Sequence, residues 1–485
     1  MKTGEGNSYK SGLKFTSLFG GVQFFMILFS LIRSKFIAVL LGPAGMGIYS
    51  LLSSATQLLG SITELGLSQT AIRDISIAHH EGSQQIFGRK VSAFRRIIWL
   101  TATCGMLLCM LLSPILSKIT FGNYDYTIAF IILSVSLLGN QLAQGNKALL
   151  QGTSRLKELG KASVYGSLCG LLISIPLYYL MGIEGIVPTM LLTSLAMLIL
   201  TFWFARRIPY QKTAISNLEA LKEGKRMIHL GVFVMLQSVF SLLCAYIIRV
   251  YIGYLGGVED VGLFNSAFLI IDAVVSMVYT AIGSEYYPRL SAGISDQQQT
   301  NHAINQQIHI SLVILGPILS LFLLFGELAL IILYSSSFTS VTLLIQIAIF
   351  GAFLRGPALC FAYVFLAKGD TKAFWINEFT SICFELFIHI FCYTKWGLTG
   401  LGIAYLLSYL QFLLQSFLIC KFRYHYTLDL KLLRIFIPQL LIGCALFATM
   451  NLLEKSYSYP VGICLAGISI GMAIYELRKK LQAEY

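Results

Sequence analysis

Long apolar runs, separated by short glycine-bearing or basic connections, fill most of the chain. A helix that crosses a bilayer needs about 20 mostly apolar residues. Fourteen runs meet that measure, near 15–41, 46–70, 97–117, 125–145, 162–181, 185–205, 229–255, 261–286, 308–333, 341–366, 374–394, 398–420, 434–453 and 459–476. None shows the sustained apolar/polar alternation of a barrel strand. The pattern predicts an all-α polytopic membrane protein of about 14 transmembrane helices. The first run is too long for a cleaved signal peptide and lacks a small-residue cleavage site before a soluble domain.

Composition agrees. Of 485 residues, 56% are hydrophobic and 12% charged, against about 25% charged in soluble domains. This excludes a soluble enzyme and a disordered chain. The net charge of +13 raises the question of nucleic acid, and the positions of the cations answer it. Lys2, Lys10 and Lys14 precede the first run, and the even-to-odd connections carry Arg89, Lys90, Arg155, Lys157, Arg206, Arg207, Lys212, Lys368, Lys421 and Arg423. The odd-to-even connections (Gly42–Gly45, Gly182–Gly185, Gly256–Gly257 and the stretch around Tyr334) are nearly bare, and only Lys118, Lys395 and Lys455 fall on that side. The positive-inside rule then places both termini in the cytoplasm, and no nucleic-acid partner is expected. The ten cysteines are scattered, without a Cys-x-x-Cys pair, so neither a metal site nor a disulfide framework is expected.

An internal repeat of about 215 residues relates the two halves. LLGPAGMGIYSLLSS (40–54) matches YLGGVEDVGLFNSAF (254–268), ALLQGTSR matches VFLAKGDTK with Gly152 over Gly369, and MGIEGIV matches WGLTGLG. Six spans per repeat give both halves one orientation, the parallel-repeat plan of two-bundle transporters. The expected domains are a six-helix lobe at 12–209, a cytoplasmic linker at 210–226, a second six-helix lobe at 227–420 and two extra helices at 434–476. The linker is basic and rich in helix formers, as a surface-lying helix would be.

Once the loop cations are set aside, Arg33, Lys35, Arg249 and Arg355 remain inside spans. A cation at mid-bilayer costs about 2.5–3.5 kcal/mol, so such residues face a wet cavity or pair with an anion. Lys35 lies seven residues before Gly42 and Arg249 seven before Gly256. Each is therefore about 10 Å along its helix from a loop, at equivalent positions of the repeat. Arg355 belongs to FLRGPAL, where Gly356-Pro357 is expected to kink or open its span. Its repeat counterpart carries Asn140, Gln141 and Gln144. This arrangement points to a cationic cavity for an anionic substrate, with Gln57, Asn140 and Gln144 as neutral polar lining. The competing reading is that each cation snorkels to an interface or closes a structural ion pair. Asp272 lies over Gln57 in the repeat. Asp272, Glu64 and Glu385 are candidates for H⁺ or Na⁺ coupling or for charge balance. No cofactor is expected. There is no G-x-x-x-x-G-K-[ST] loop and no H-E-x-x-H, so an enzyme is not expected.

Lys35-x-x-x-x-Leu40-Leu41-Gly42-Pro43-Ala44-Gly45-Met46-Gly47-Ile48-Tyr49 resembles the start of Wzx-type O-antigen translocases, lipid-linked oligosaccharide flippases of the MOP (MATE-like) superfamily. Glu64-Leu65-Gly66-Leu67 and LLQGTSRLKELGK (149–161) are similar to them as well. The resemblance covers roughly residues 12–420. It implies a V-shaped pair of six-helix lobes in the bacterial inner membrane. It also implies flipping of undecaprenyl-pyrophosphate-linked oligosaccharide by alternating access. Lys35 and Arg249, with Arg33 beside them, would then meet the pyrophosphate, and the cationic-cavity reading of the intramembrane charges adds Arg355 to that set. A polysaccharide polymerase and chain-length machinery would be partners, and a monomer would suffice because one chain holds both repeats. The two extra helices are similar instead to those of the lipid II flippase branch. A drug/cation antiporter and an intramembrane sugar polymerase rank behind both. The first wants acids in its cavity, and the second wants long extracytoplasmic loops.

Overall fold

Four glycines decide how the long helices are used. In the computed structural model, which describes residues 3–80, 83–211, 213 and 215–483, ten helical segments are long and apolar enough to cross a membrane. Lys2 and Lys212 lie outside the described residues. Four of the ten segments contain a glycine whose φ is positive and whose backbone is not helical: Gly42, Gly182, Gly257 and Gly397. Only glycine adopts such angles at little cost. At each of these glycines the chain turns back on itself. Arg33 and Tyr49 would stand about 24 Å apart along a straight helix, yet their side chains meet at 2.8 Å. Asn377 and Ser416, 39 residues apart, are hydrogen-bonded at 3.1 Å. A Cβ built on Gly253 would lie 3.4 Å from Val261. A Cβ on Gly166 would lie 2.5 Å from the Met197 sulfur. Fourteen membrane-crossing legs result among the described residues, joined by helical and turn connections with no strand.

The left-handed residues also recur at the interval read from the sequence. Gly42 and Gly257, Ser154 and Gly369, and Gly182 and Gly397 are each about 215 residues apart. Two expectations change as a result. Ser154, not Gly152, stands at the position that corresponds to Gly369. The turn of the second hairpin is at Gly257, not Gly256, so Arg249 corresponds to Ser34 and Lys35 to Val250. A shift of one residue rotates a side chain by about 100° around a helix. Lys35 and Arg249 are therefore not equivalent positions.

The chain divides into two compact units, residues 1–262 and 263–485. The division falls at Gly262 rather than within 210–226, for a local reason. Leu65 and Gly66 are both left-handed and form a corner between Glu64 and the short Leu67–His80 helix. A Cβ on Gly231 would lie 2.2 Å from the Leu65 carbonyl oxygen, and Thr70 donates to the Met227 carbonyl at 3.1 Å. Thr120 and Tyr246 are hydrogen-bonded at 2.7 Å. Close backbone approach through small residues is the usual way membrane helices associate, and it seats the leg 225–256 in unit 1. The linker holds a short helix, Asn217–Glu223, closed by a capping box between Ser216 and Glu219. Glu223 pairs with Arg89 at 3.1 Å and Lys90 at 3.6 Å, fixing it to the Gln84–Phe121 helix.

In unit 2 the last two helices, Leu433–Leu452 and Lys455–Ala483, pack on Gln297–Leu333. Buried Gln439 and Ser469 exchange hydrogen bonds at 2.6 and 3.2 Å, directly over Gly316, where a Cβ would meet Gln439 at 2.5 Å. Glu476 pairs with His309 at 3.6 Å and Lys455 with Glu327 at 2.9 Å. The Thr342–Ala367 helix runs unbroken through Gly356-Pro357, so that span is not opened. Leu111, Ile128, Ile199, Phe387 and Leu441 are among many large apolar side chains left exposed, as expected for legs that face lipid. The protein is an integral membrane protein.

Candidate functional site

Unit 1 encloses a cavity of about 310 Å³ among the legs 3–41, 43–64, 127–152, 156–181 and 186–205. Among the described residues two cations line it, Arg33 and Lys147, and no carboxylate does. The rest of the wall is mainly neutral and polar, with Tyr49, Ser53, Gln57, Asn140 and Ser194 among the lining residues. Arg33 is held by a donated hydrogen bond to the Tyr49 hydroxyl at 2.8 Å, across the hairpin that Gly42 makes. Gln57 donates to Ser53 Oγ at 2.8 Å, one turn away. Asn140 and Lys147 lie seven residues apart, on one face of the Thr127–Gly152 helix.

The two cations sit at different depths. Arg33 is nine residues from the Gly42 turn, about 14 Å along its helix. Lys147 is five residues from the opposite end of its own helix, about 8 Å from Gly152. Among the described residues Lys147 makes neither a hydrogen bond nor an ion pair. An unpaired cation in such surroundings is unfavourable unless an anion or water meets it. The cavity as built is thus suited to an anion with several hydrogen-bonding oxygens.

The other candidate residues are distributed as follows. Gln57 and Asn140 are brought together with Arg33 in the cavity, whereas Gln144 is exposed on the same leg outside its lining. Lys35 is exposed and also outside the lining. Arg249 donates from Nε to Ser50 Oγ at 3.1 Å and from Nη1 to the Ala245 carbonyl at 3.0 Å, which ties leg 225–256 to leg 43–64. Glu64 ends its helix at the Leu65-Gly66 corner. Glu385 is half-buried, and its carbonyl is hydrogen-bonded to His389 Nδ1 at 2.8 Å.

Arg355 and Asp272 meet in unit 2 at 3.6 Å. The Arg355 guanidinium also stands over the rings of Tyr279 and Tyr409, 4.7 and 5.1 Å from their centroids, and Tyr405 packs edge-on against Tyr409. Tyr279 in turn donates to the Ala352 carbonyl at 2.7 Å. This cation is balanced within the protein by a carboxylate and aromatic faces.

Lys147 is the residue that the sequence reading missed. It lies two residues beyond the apolar run 125–145, close to the basic connection that carries Arg155 and Lys157. The available signal was its register with Asn140 and Gln144, at spacings of seven and three residues on a helix.

Both the sequence and the fold have counterparts among known proteins. A protein of Shigella flexneri with the provisional name O-antigen transporter is 22% identical over 76% of this chain and 88% of its own length. The lipid III flippase of Escherichia coli strain K12 is 23% identical over 79% of this chain and 91% of its own. The structure of the lipid II flippase MurJ in an inward closed conformation superposes with a TM-score of 0.74 at 14% identity. That match covers 96% of this chain and 99% of the other, so the fold is shared through the last two helices. A family model described as polysaccharide biosynthesis protein matches residues 36–343. That match spans more than half of the chain, and the chain belongs to the polysaccharide biosynthesis protein family.

Proposed function

We propose that this protein flips an undecaprenyl-pyrophosphate-linked oligosaccharide, the repeat unit of an O-antigen or related surface polysaccharide, from the cytoplasmic to the outer leaflet. It does so by alternating access in the bacterial inner membrane, with both termini cytoplasmic. The observation that carries this reading is the cavity of unit 1, where, among the described residues, no acid joins the lining, Tyr49 orients Arg33 and Lys147 has no counter-ion. A guanidinium presents a planar fork that matches phosphate oxygens, and an ammonium acts as a point charge. The hydroxyls and amides around them offer partners to sugar hydroxyls, while the polyprenyl tail stays in lipid. An inside-negative potential favours outward anion movement by about 2.3 kcal/mol per charge per 100 mV. Of the candidate carboxylates, Asp272 balances Arg355, which leaves Glu64 and Glu385 to couple a proton or Na⁺ to the cycle. The family and the named roles of the relatives support a transporter rather than an enzyme.

The test is export. Arg33→Ala abolishes surface polymer while the protein remains in the membrane at normal abundance, and Arg33→Lys retains part of the activity. Unchanged export by Arg33→Ala would overturn the reading. A second reading, flipping of a peptidoglycan precursor, is favoured by the similarity to the lipid II flippase over the last two helices as well as the rest of the chain. Reconstituted protein offered both lipid carriers separates the two, and a new glycosidic product in either case would instead indicate a polymerase.

A further inference from the structure

We infer that Lys147 and Arg33 are two successive stations of one diphosphate path inside unit 1, with Lys147 capturing the headgroup first. The inference rests on the flippase reading for direction only; the site itself rests on the cavity.

Four observations converge on it. Both cations line one cavity, and among the described residues its lining holds no acid. Lys147 has no partner among the described residues, although it is only half-exposed. The two lie at different depths, Lys147 about 8 Å from the end of its helix and Arg33 about 14 Å from the opposite turn. Between them in depth the wall is neutral and polar, with Asn140 and Gln57. A single deep cation would leave a dianionic headgroup with no favourable contact while it gives up its hydration at the entrance. A cation near the entrance supplies that contact. The residue types fit the order: a lysine ammonium on a flexible stem accepts an anion without strict geometry, and an arginine held by Tyr49 imposes one. Release toward the outer side then requires leaving only one cation at a time. The ligand is a phosphoric anhydride carried on a lipid. An anionic phospholipid headgroup shares the phosphate chemistry, so the experiment must tell the two apart.

Purified full-length protein in nanodiscs is titrated with inorganic pyrophosphate, with and without phosphatidylglycerol in the disc. Flipping of lipid-pyrophosphate oligosaccharide is then measured in proteoliposomes. The variants are Lys147→Gln, Lys147→Arg, Arg33→Gln and wild type. Lys147→Gln is expected to weaken pyrophosphate binding about tenfold and Lys147→Arg to restore it. In flipping, Lys147→Gln raises the half-saturating substrate concentration with little loss at saturation, while Arg33→Gln lowers the saturated rate. Equal pyrophosphate binding by wild type and Lys147→Gln overturns the inference. So does abolition of Lys147-dependent binding by phosphatidylglycerol, which would make the site a resident-lipid contact. Lys147-dependent pyrophosphate binding without flipping of any lipid-linked sugar overturns the flippase reading but leaves the site standing. Normal flipping by Lys147→Gln at unchanged half-saturation does the reverse.

Discussion

The two units treat an intramembrane arginine in opposite ways. In unit 1, Arg33 touches a tyrosine hydroxyl and otherwise faces a cavity that it shares with an unpaired lysine. In unit 2, Arg355 is closed in by Asp272, Tyr279 and Tyr409. The contrast is sharper when positions are compared at the interval of about 215 residues. Gln57 and Asn140, in the wall of the cavity, correspond to Asp272 and Arg355. Ser194, also in the wall, corresponds to Tyr409, and Lys147 to Ala362. Small and neutral side chains leave room and an unmet positive charge in unit 1. Large aromatics and an ion pair occupy the corresponding place in unit 2. One architecture thus holds a polar cavity with an unmet cation in one unit and an internally neutralised cluster in the other.

Substitutions in the two places are therefore expected to fail differently. The largest effect is on transport, with Arg33→Ala removing export at normal protein level. Next comes Arg355→Ala, which acts mainly on stability. It removes a half-buried guanidinium from two aromatic faces and one carboxylate, at a cost of about 2 kcal/mol. The melting temperature of the detergent-purified protein reads that loss, and pairing the change with Asp272→Asn recovers part of it. Export reduced out of proportion to the protein remaining would instead give Arg355 a transport role and weaken the comparison. A smaller effect is expected from Gln439→Leu, which leaves buried Ser469 without its side-chain partner. Such a loss costs about 1–2 kcal/mol and loosens the last hairpin of unit 2, seen as earlier proteolysis between its two helices.

The smallest effect is on pH dependence. Hydrogen bonds from Arg423 and the Ala373 amide, at the end of the 371–423 helices, hold the Asp370 carboxyl down to about 2. A carboxylate lowered in the folded state stabilises above its unfolded value, about 3.9, and that contribution is lost as pH falls through about 2. Asp370→Asn should therefore flatten the acid limb of a stability curve between about pH 4 and pH 2 and change little at pH 7.

Much of the fold was legible because membrane legs declare themselves by length and apolarity, and because reversal at Gly42, Gly182 and Gly397 requires a residue without a side chain. Gly256 and Gly257 could not be told apart, since either could take the left-handed position, and that one residue decided whether Arg249 mirrors Lys35. Ser154 adopts the same backbone at a residue type that does not announce it. For the site, Arg33, Gln57 and Asn140 were found as intramembrane polar residues on legs that converge. The partners of Arg249 and Arg355 were not readable in full, because Ser50 and Tyr409 are brought to them only by tertiary packing. Lys147 was hidden by its distance of about one and a half turns from a basic connection, within reach of either the loop or the cavity by sequence alone.

The most direct test is to reconstitute four proteins in liposomes and measure the flipping rate of one fluorescent lipid-pyrophosphate oligosaccharide per folded molecule. The four are wild type, Arg33→Gln, Lys147→Gln, and Arg355→Gln combined with Asp272→Asn. The account predicts that both unit 1 variants are impaired at subsaturating substrate and that the unit 2 double variant flips at close to the wild-type rate. A unit 2 variant that is inactive beside unit 1 variants that flip normally would contradict it.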